Sequence, residues 1–301
     1  MPMKFNHLVL VDNTGLRDWA IDQLSTLAEK VTVFQDYPAS ESTVMERIGD
    51  ADGVLVSLHT KLNSNIIQHC PNLKYIGMCC SLYNESSSNV SISSAMEKNI
   101  VVKGIKDYGD EGVVEFILSE LIRLAKGLGD KQWKEEPVEL CNRKLGIIGM
   151  GATGTMLANA ARAFGMKVFY YSRNRKIEAE KTGASYLPSK DLLKEADIVS
   201  THLPRNTFIL NDQEFECLGS GKIVVNTSLG LTFDKNSFLR WINQPGNYAI
   251  FDADGCRPYL DEFENHKRII TTHKVSGRTA EAIDRLSVKV IDNIKDFLSR
   301  H

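Results

Sequence analysis

Short, unbroken apolar runs alternate along the chain with stretches whose apolar residues recur at helical spacing, a pattern that predicts an α/β protein. In the first third the runs lie in Phe5-Asn-His-Leu-Val-Leu-Val11, Val31-Thr-Val-Phe34, Val54 to Ser57 and Tyr75 to Met78, with helices near Leu16 to Glu29 and Ser42 to Ile48. Such alternation of strands and helices argues for a parallel sheet with helices on both faces. From Cys79 to Ser94 the composition turns to Ser, Asn and Glu and predicts a loop. An amphipathic helix with Val113, Val114, Ile117, Leu118, Leu121, Ile122 and Ala125 on one face follows and predicts a bridge to a second domain. Beyond the connection Gly127 to Arg143, strands are expected at Leu145 to Ile148, Lys167 to Tyr171, Ile198 to Thr201, Ile223 to Asn226, Tyr248 to Asp252 and Ile269 to Thr272. The last helix, Thr279 to Leu298, presents Ala282, Leu286, Val290, Ile294 and Phe297 on one side and is long enough to return to the first domain. The fold class is therefore α/β, with two Rossmann-like, doubly wound parallel sheets. One domain is discontinuous, residues 1–113 with 278–301, and the other spans 114–277.

The strand Leu145 to Ile148 runs directly into Gly149-Met-Gly-Ala-Thr-Gly154. The spacing assigns three tasks to three glycines: Gly149 makes the tight turn, Gly151 lets a pyrophosphate approach the backbone, and Gly154 packs the helix on the strand. The helix near Thr153 to Phe164 would turn its free amides, those of Ala152 and Thr153 among them, and its positive dipole end toward phosphates. A second strand after it completes the βαβ unit that this motif requires. At the end of that strand, where an NAD site places a carboxylate on the ribose hydroxyl, the chain reads Ser172-Arg-Asn-Arg-Lys176. Ser172 can hydrogen-bond a 2′-phosphate, and Arg173 or Arg175 can pair with it bidentately, so NADP(H) is favoured and NAD(H) is the alternative.

A length of 301 residues with 43% hydrophobic content accommodates two cores. The net charge of -2 gives no basic footprint for nucleic acid or an anionic membrane, and no apolar run approaches the length of a membrane helix. No secretory signal is visible at the N-terminus, and the six cysteines show no CxxC pairing, so a reduced, cytoplasmic protein without a metal site is expected.

These residues resemble the D-isomer-specific 2-hydroxyacid dehydrogenase family over essentially the whole chain. The resemblance is carried by Pro71-Asn-Leu-Lys-Tyr-Ile-Gly77, the segment Val101 to Glu115, the glycine loop, His202-Leu-Pro204, Val224-Val-Asn226, Asp252, Ser276-Gly277, Thr279 and Glu281-Ala282. The Tyr-Tyr-Ser-Arg ending of the second strand is similar to the NADP(H)-using hydroxypyruvate and glyoxylate reductase branch. The resemblance implies a substrate domain made of the first third plus the final helix, an active site in the cleft between domains, and a homodimer through the dinucleotide domain with Trp133 at the interface. It also implies that His202, Pro204, Thr227 and Ser228 line the cofactor and that Asp252 bonds the nicotinamide carboxamide.

Three groups of the family's chemistry are replaced. The arginine of its Asn-x-x-Arg-Gly pattern falls on Leu229, its glutamate before a proline falls on Arg257, and its histidine falls on Lys274, with His273 one residue away. Leu229 cannot clamp a carboxylate, whereas Arg257 brings a guanidinium able to hold an anionic group from another side. A like charge and partial burial would lower the Lys274 pKa and suit it to donate a proton; a one-residue slip would put His273 there instead. Two functions follow. One is an NAD(P)-dependent oxidoreductase that transfers a hydride to a carbonyl, or to an imine, with a non-standard acid/base set. The other is a catalytically silent NADP(H) sensor or partner-binding pseudoenzyme.

Overall fold

All the strands of both sheets pair in parallel, as the alternation of strands and helices predicts. The computed structural model describes residues 3–300 and divides into two units, one with the residues up to Tyr108 and from Thr279 onward, the other Gly109–Arg278. The first junction lies between Tyr108 and Gly109 rather than at 113/114, because the helix expected from Val113 starts at Asp110 with Gly109 as its N-cap.

In the first unit, β1 (Phe5–Leu10), β2 (Ala28–Val33), β3 (Gly53–Val56), β4 (Tyr75–Ser81) and β5 (Val101–Ile105) lie in the order β2-β1-β3-β4-β5, the flavodoxin-like arrangement. Side chains alternate across the sheet. Val9, Val54 and Ile76 enter one core, while Leu8, Leu10, Leu55 and Tyr75 enter the other, which the helix Ala280–Arg300 closes. Phe297 of this helix stacks on Phe5 and meets Tyr75, with ring centroids 5.5 and 4.8 Å apart. The same helix secures the chain leaving β5: Asn293 Nδ2 donates to the Gly104 carbonyl, Lys289 Nζ to Lys106 and Arg285 Nε to Tyr108.

The second unit contains β6 (Lys144–Ile148), β7 (Lys167–Tyr171), β8 (Ser185–Tyr186), β9 (Ile198–Thr201), β10 (Ile223–Asn226), β11 (Tyr248–Phe251) and β12 (Ile269–Ile270). Their order, β12-β11-β10-β9-β6-β7-β8, reverses between β6 and β9, the switch point at which doubly wound sheets bind ligands beyond their strand ends. The helices Asp110–Lys126 and Ala152–Ala163 pack over Leu145 and Ile147 on one face. The other face is aromatic, with Phe215, Phe233, Phe238, Trp241, Phe251 and Phe263 around Ile148 and Val224.

Three expectations need correction. The helix expected from Leu16 to Glu29 is only Asp18–Leu24, because the hydroxyls of Ser25 and Thr26 donate to the carbonyls of Asp22 and Gln23 and end it, freeing Ala28–Val33 to form an edge strand. The region from Cys79 to Ser94 is not one loop. β4 continues to Ser81, with Cys79 and Cys80 buried in the two cores of the unit, and a short helix begins at Ile92. Trp133, expected at an interface, is buried in its own unit: its indole donates to the Gly221 carbonyl at 3.1 Å, and Lys134 lies over its ring.

Removing the Phe297 ring leaves a cavity between the last helix and β1/β4. Phe297→Ala is expected to destabilise the first unit by about 3–5 kcal/mol in urea unfolding; a loss under about 1 kcal/mol would show that the helix is held by other contacts.

Candidate active site

The glycine loop sits at the switch point because β6 and β9 end side by side there. The His202 amide donates to the Ile148 carbonyl at 2.8 Å, and the Gly149 amide donates to the Tyr171 carbonyl of β7 at 2.9 Å. Gly149 has φ +100°, and a Cβ there would collide with the His202 carbonyl oxygen. At Gly154 a Cβ would run into the Gly149 carbonyl oxygen and stand 3.2 Å from Ile147 Cγ2. Both glycines are therefore required by the fold. Gly151 differs: it is exposed, its φ is -87°, and a Cβ would meet no protein atom within 4 Å. The open space in front of Gly151 lies at the N-terminus of the twelve-residue helix Ala152–Ala163, where Gly151 provides no capping side chain and the first amides remain available. The residues present thus fit a pyrophosphate there, with Gly151 and the amides of Ala152 and Thr153 nearest to it. The Thr153 hydroxyl is engaged, donating to Asp110 Oδ1.

After β7 the two arginines part company. Arg175 donates from Nε and Nη2 to the two carboxylate oxygens of Glu180 at 3.0 and 2.6 Å, and lies over the Tyr186 ring. Tyr170 donates its hydroxyl to Glu180 and accepts from the Lys176 amide, so the whole turn is braced. The Arg175 guanidinium holds the Glu180 carboxyl below its usual range. Arg173 is exposed and has no partner among the described residues. The Ser172 hydroxyl donates to the Asn174 carbonyl within the turn.

At the end of β9, burial pushes the pKa of His202 down to about 4, so its ring is neutral at neutral pH; it shares a 2.9 Å hydrogen bond with Ser200 Oγ. Pro204 follows at partial exposure. Ser228 ties this segment to β10: its hydroxyl accepts from the Leu203 amide at 3.0 Å and donates to the Thr201 carbonyl at 3.1 Å. Thr227 beside it is half-buried. Behind both stands Asn226, fully buried. Its amide donates to the carbonyls of Gly230 and Gly255, and its Oδ1 accepts from Thr201 Oγ1 and the Ser228 amide. The sequence singles out Asn226 only as part of a motif, and its role as a hub depends on partners distant along the chain.

Asp252 is 1% exposed, and its two oxygens face inward. Oδ1 accepts from the Gly255 amide, while Oδ2 accepts from the Ser276 amide and hydroxyl at 2.9 and 2.7 Å. Burial raises its pKa against these bonds. Together with the bond from the Ala253 amide to the Lys274 carbonyl, the carboxylate fastens the segment carrying Lys274 to the turn carrying Arg257. The structure therefore gives Asp252 a bracing role that the sequence does not disclose. The side chains of the three candidate catalytic residues do not converge on one another through any direct bond. Arg257 pairs with Asp254, His273 Nε2 shares a 2.9 Å bond with Glu264, and Lys274 is exposed. Leu229, at partial exposure, faces a cavity of about 560 Å³.

Comparison with known proteins agrees with this architecture. The sequence model described as "D-isomer specific 2-hydroxyacid dehydrogenase, NAD binding domain" matches residues 117–274. A glyoxylate reductase of Thermococcus litoralis is 27% identical over 280 residues, covering 84% of this chain and 82% of the relative. A hydroxypyruvate reductase of Blautia hydrogenotrophica is 26% identical over 313 residues, covering 95% and 94%. Among solved structures, an acyclic imino acid reductase in complex with NADPH and D-Arg superposes with a TM-score of 0.85 at 21% identity, covering 98% of this chain and 97% of that one, which speaks to the fold. No helix among the described residues is long and apolar enough to cross a membrane.

Two measurements probe the site. Gly154→Ala is expected to cost about 1–3 kcal/mol of stability through overpacking. Gly151→Ala should cost no more than about 1 kcal/mol, the scale of a changed N-cap, yet weaken dinucleotide binding; equal effects of the two substitutions on unfolding would refute the distinction. His202 provides a pH test. Its folded pKa of about 4 lies below its ordinary 6.5, so the unfolded chain takes up the proton first as pH falls. Stability linked to His202 is complete above about pH 6.5 and is lost progressively down to about pH 4, by roughly 3 kcal/mol in total. Urea midpoints for His202→Gln should lack that component between pH 7 and 4.5.

Proposed function

Because this chain belongs to the D-isomer-specific 2-hydroxyacid dehydrogenase family, and is by that membership an NAD(P)-dependent oxidoreductase, we propose that it is an NADP(H)-preferring reductase of a carbonyl substrate with Lys274 as proton donor. The observation that carries the cofactor preference is the contrast between Arg173 and Arg175. One guanidinium is exposed and without an ion-pair partner at the position where a 2′-phosphate would lie, and the other is locked onto Glu180. A free, planar fork beside Ser172 suits a phosphate, and no carboxylate occupies the end of β7 to repel it. The relatives named glyoxylate reductase and hydroxypyruvate reductase support reduction of a carbonyl as the reaction class.

When bound, the dinucleotide supplies the hydride. The chain's own part is then to hold the carbonyl, exclude water and deliver one proton to the carbonyl oxygen, so that C=O becomes CH–OH. Lys274 is assigned that proton because it is the exposed cation at the family's histidine position, its backbone fixed to Ala253. His273 is tethered to Glu264 and is left out of the reaction. Arg257, already paired with Asp254, helps to shape the same region rather than clamping an anion.

The test is a binding titration of NADPH and NADH, followed by a screen for carbonyl-dependent NADPH oxidation. The native protein should prefer NADPH, and Arg173→Ala should reduce that preference by about tenfold or more, the scale of a charge-assisted phosphate contact, while leaving NADH binding unchanged. Arg175→Ala should act mainly through the turn it braces. Lys274→Met should abolish the turnover of any carbonyl found, with NADPH binding retained. Tight NADPH binding with no turnover of any compound would replace the reductase reading with a cofactor-binding protein that has lost catalysis.

A further inference from the structure

The cavity beside Leu229 lies wholly within the second unit and has the volume of a small-molecule site, about 560 Å³. Its walls are built, not incidental. The Ile209 amide donates to the Thr232 carbonyl at 2.8 Å and the Asp234 amide to the Leu210 carbonyl at 2.9 Å, which zips one loop to the next. Gly230, φ +91°, is held from both sides: its amide donates to the Asp254 carbonyl and its carbonyl accepts from Asn226. The lining combines apolar side chains, Leu229, Leu231, Phe233, Pro258 and Tyr259, with the polar Asn206 and Asn211, and Phe208, 68% exposed, stands at its rim.

The charges in the wall are already engaged. Asp234 caps its own helix through the Ser237 amide and hydroxyl, both at 2.8 Å. Lys235 bonds Glu262 at 2.5 Å and sits over the Tyr259 ring. A carboxylate entering this space would meet no free cation, whereas an aromatic or branched aliphatic group would meet matching apolar side chains.

We propose that this cavity receives an apolar substituent of the substrate, so that the chain reduces carbonyl compounds bearing an aromatic or branched group and no carboxylate next to the reacting carbon. The cavity adjoins the candidate site along the chain: in its wall Leu229 follows Ser228, the Gly230 carbonyl accepts from Asn226, and Pro258 follows Arg257. The inference rests on the reductase reading for its chemistry but not for its binding.

The decisive probes are methyl benzoylformate and benzoylformate, which share one aromatic body and differ by the ester methyl that removes the carboxylate's charge. With NADPH in excess, the native chain should turn over the ester with a kcat/KM at least about tenfold above that of the acid, and Leu229→Arg should shift this ratio toward the acid by about tenfold or more. Binding of the ester is read separately by ligand-observed NMR without reference to turnover. Phe208→Ala, at an exposed position that leaves the core intact, should weaken it by about tenfold. Preference for the acid, a ratio unmoved by Leu229→Arg, or no binding of the ester overturns the inference. Binding that weakens in both variants without any NADPH oxidation upholds the cavity as an apolar site and overturns the reductase reading alone.

Discussion

The side-chain amide of Asn226 is the joint on which the site depends. A buried amide is tolerated only when its hydrogen-bonding capacity is met, and here two donors and two acceptor sites are all engaged. The bonds reach four separate pieces of backbone or side chain: the end of β9, the turn after β10, the Gly230 corner and the turn that begins at Asp252. These segments lie beyond or at the ends of adjacent strands, β9, β10 and β11, where the ladder bonds of the sheet stop. The Gly255 position shows how close the approach is, since a Cβ there would strike the Asn226 carbonyl oxygen. With this amide in place, Thr232 adds a bond to Thr201 Oγ1 and Ser228 draws in Leu203, so the loops form one network rather than a set of independent tips.

Around that frame, ion pairing decides which charges are available for chemistry. Exposed pairs such as Arg175 with Glu180 or Arg257 with Asp254 contribute little to stability on their own. Their effect is selective, since a guanidinium already facing a carboxylate is a poorer anchor for another anion. The result is an uneven distribution of function among similar residues. The Arg173 and Lys274 side chains have no partner among the described residues, whereas Arg175 and His273, two residues and one residue away, are each bonded to a carboxylate.

How much of this is legible in the sequence follows from the range of the interactions involved. The parallel sheets are legible because short apolar runs such as Val54 to Val56 and Ile223 to Val225 alternate with helical spacing along the chain. The glycine loop is legible because all three of its tasks lie within six residues. The length of the helix after β1 is not, since its end is set by Ser25 and Thr26 hydroxyls competing for carbonyls rather than by a break in apolar spacing. The pairing of Arg175 with Glu180 is close to legible, five residues apart in a basic and then acidic stretch. The bracing of Asp252 by Ser276 and the four bonds of Asn226 are not, because each joins segments that only the completed sheet brings together. Burial of Trp133 is hidden for the same reason, its partner Gly221 being 88 residues away.

The contrast among the three glycines bears on what inheritance can record. Gly149 and Gly154 answer to the protein itself, so any process that discards unfolded chains also guards them, whatever the protein binds. Gly151 answers to nothing inside the molecule. In a lineage that abandoned the dinucleotide, side chains would accumulate at position 151 at little cost while the flanking glycines persisted, and the motif would decay from its middle. A glycine retained at that one position is thus a molecular memory of the ligand, separate from the memory of the fold.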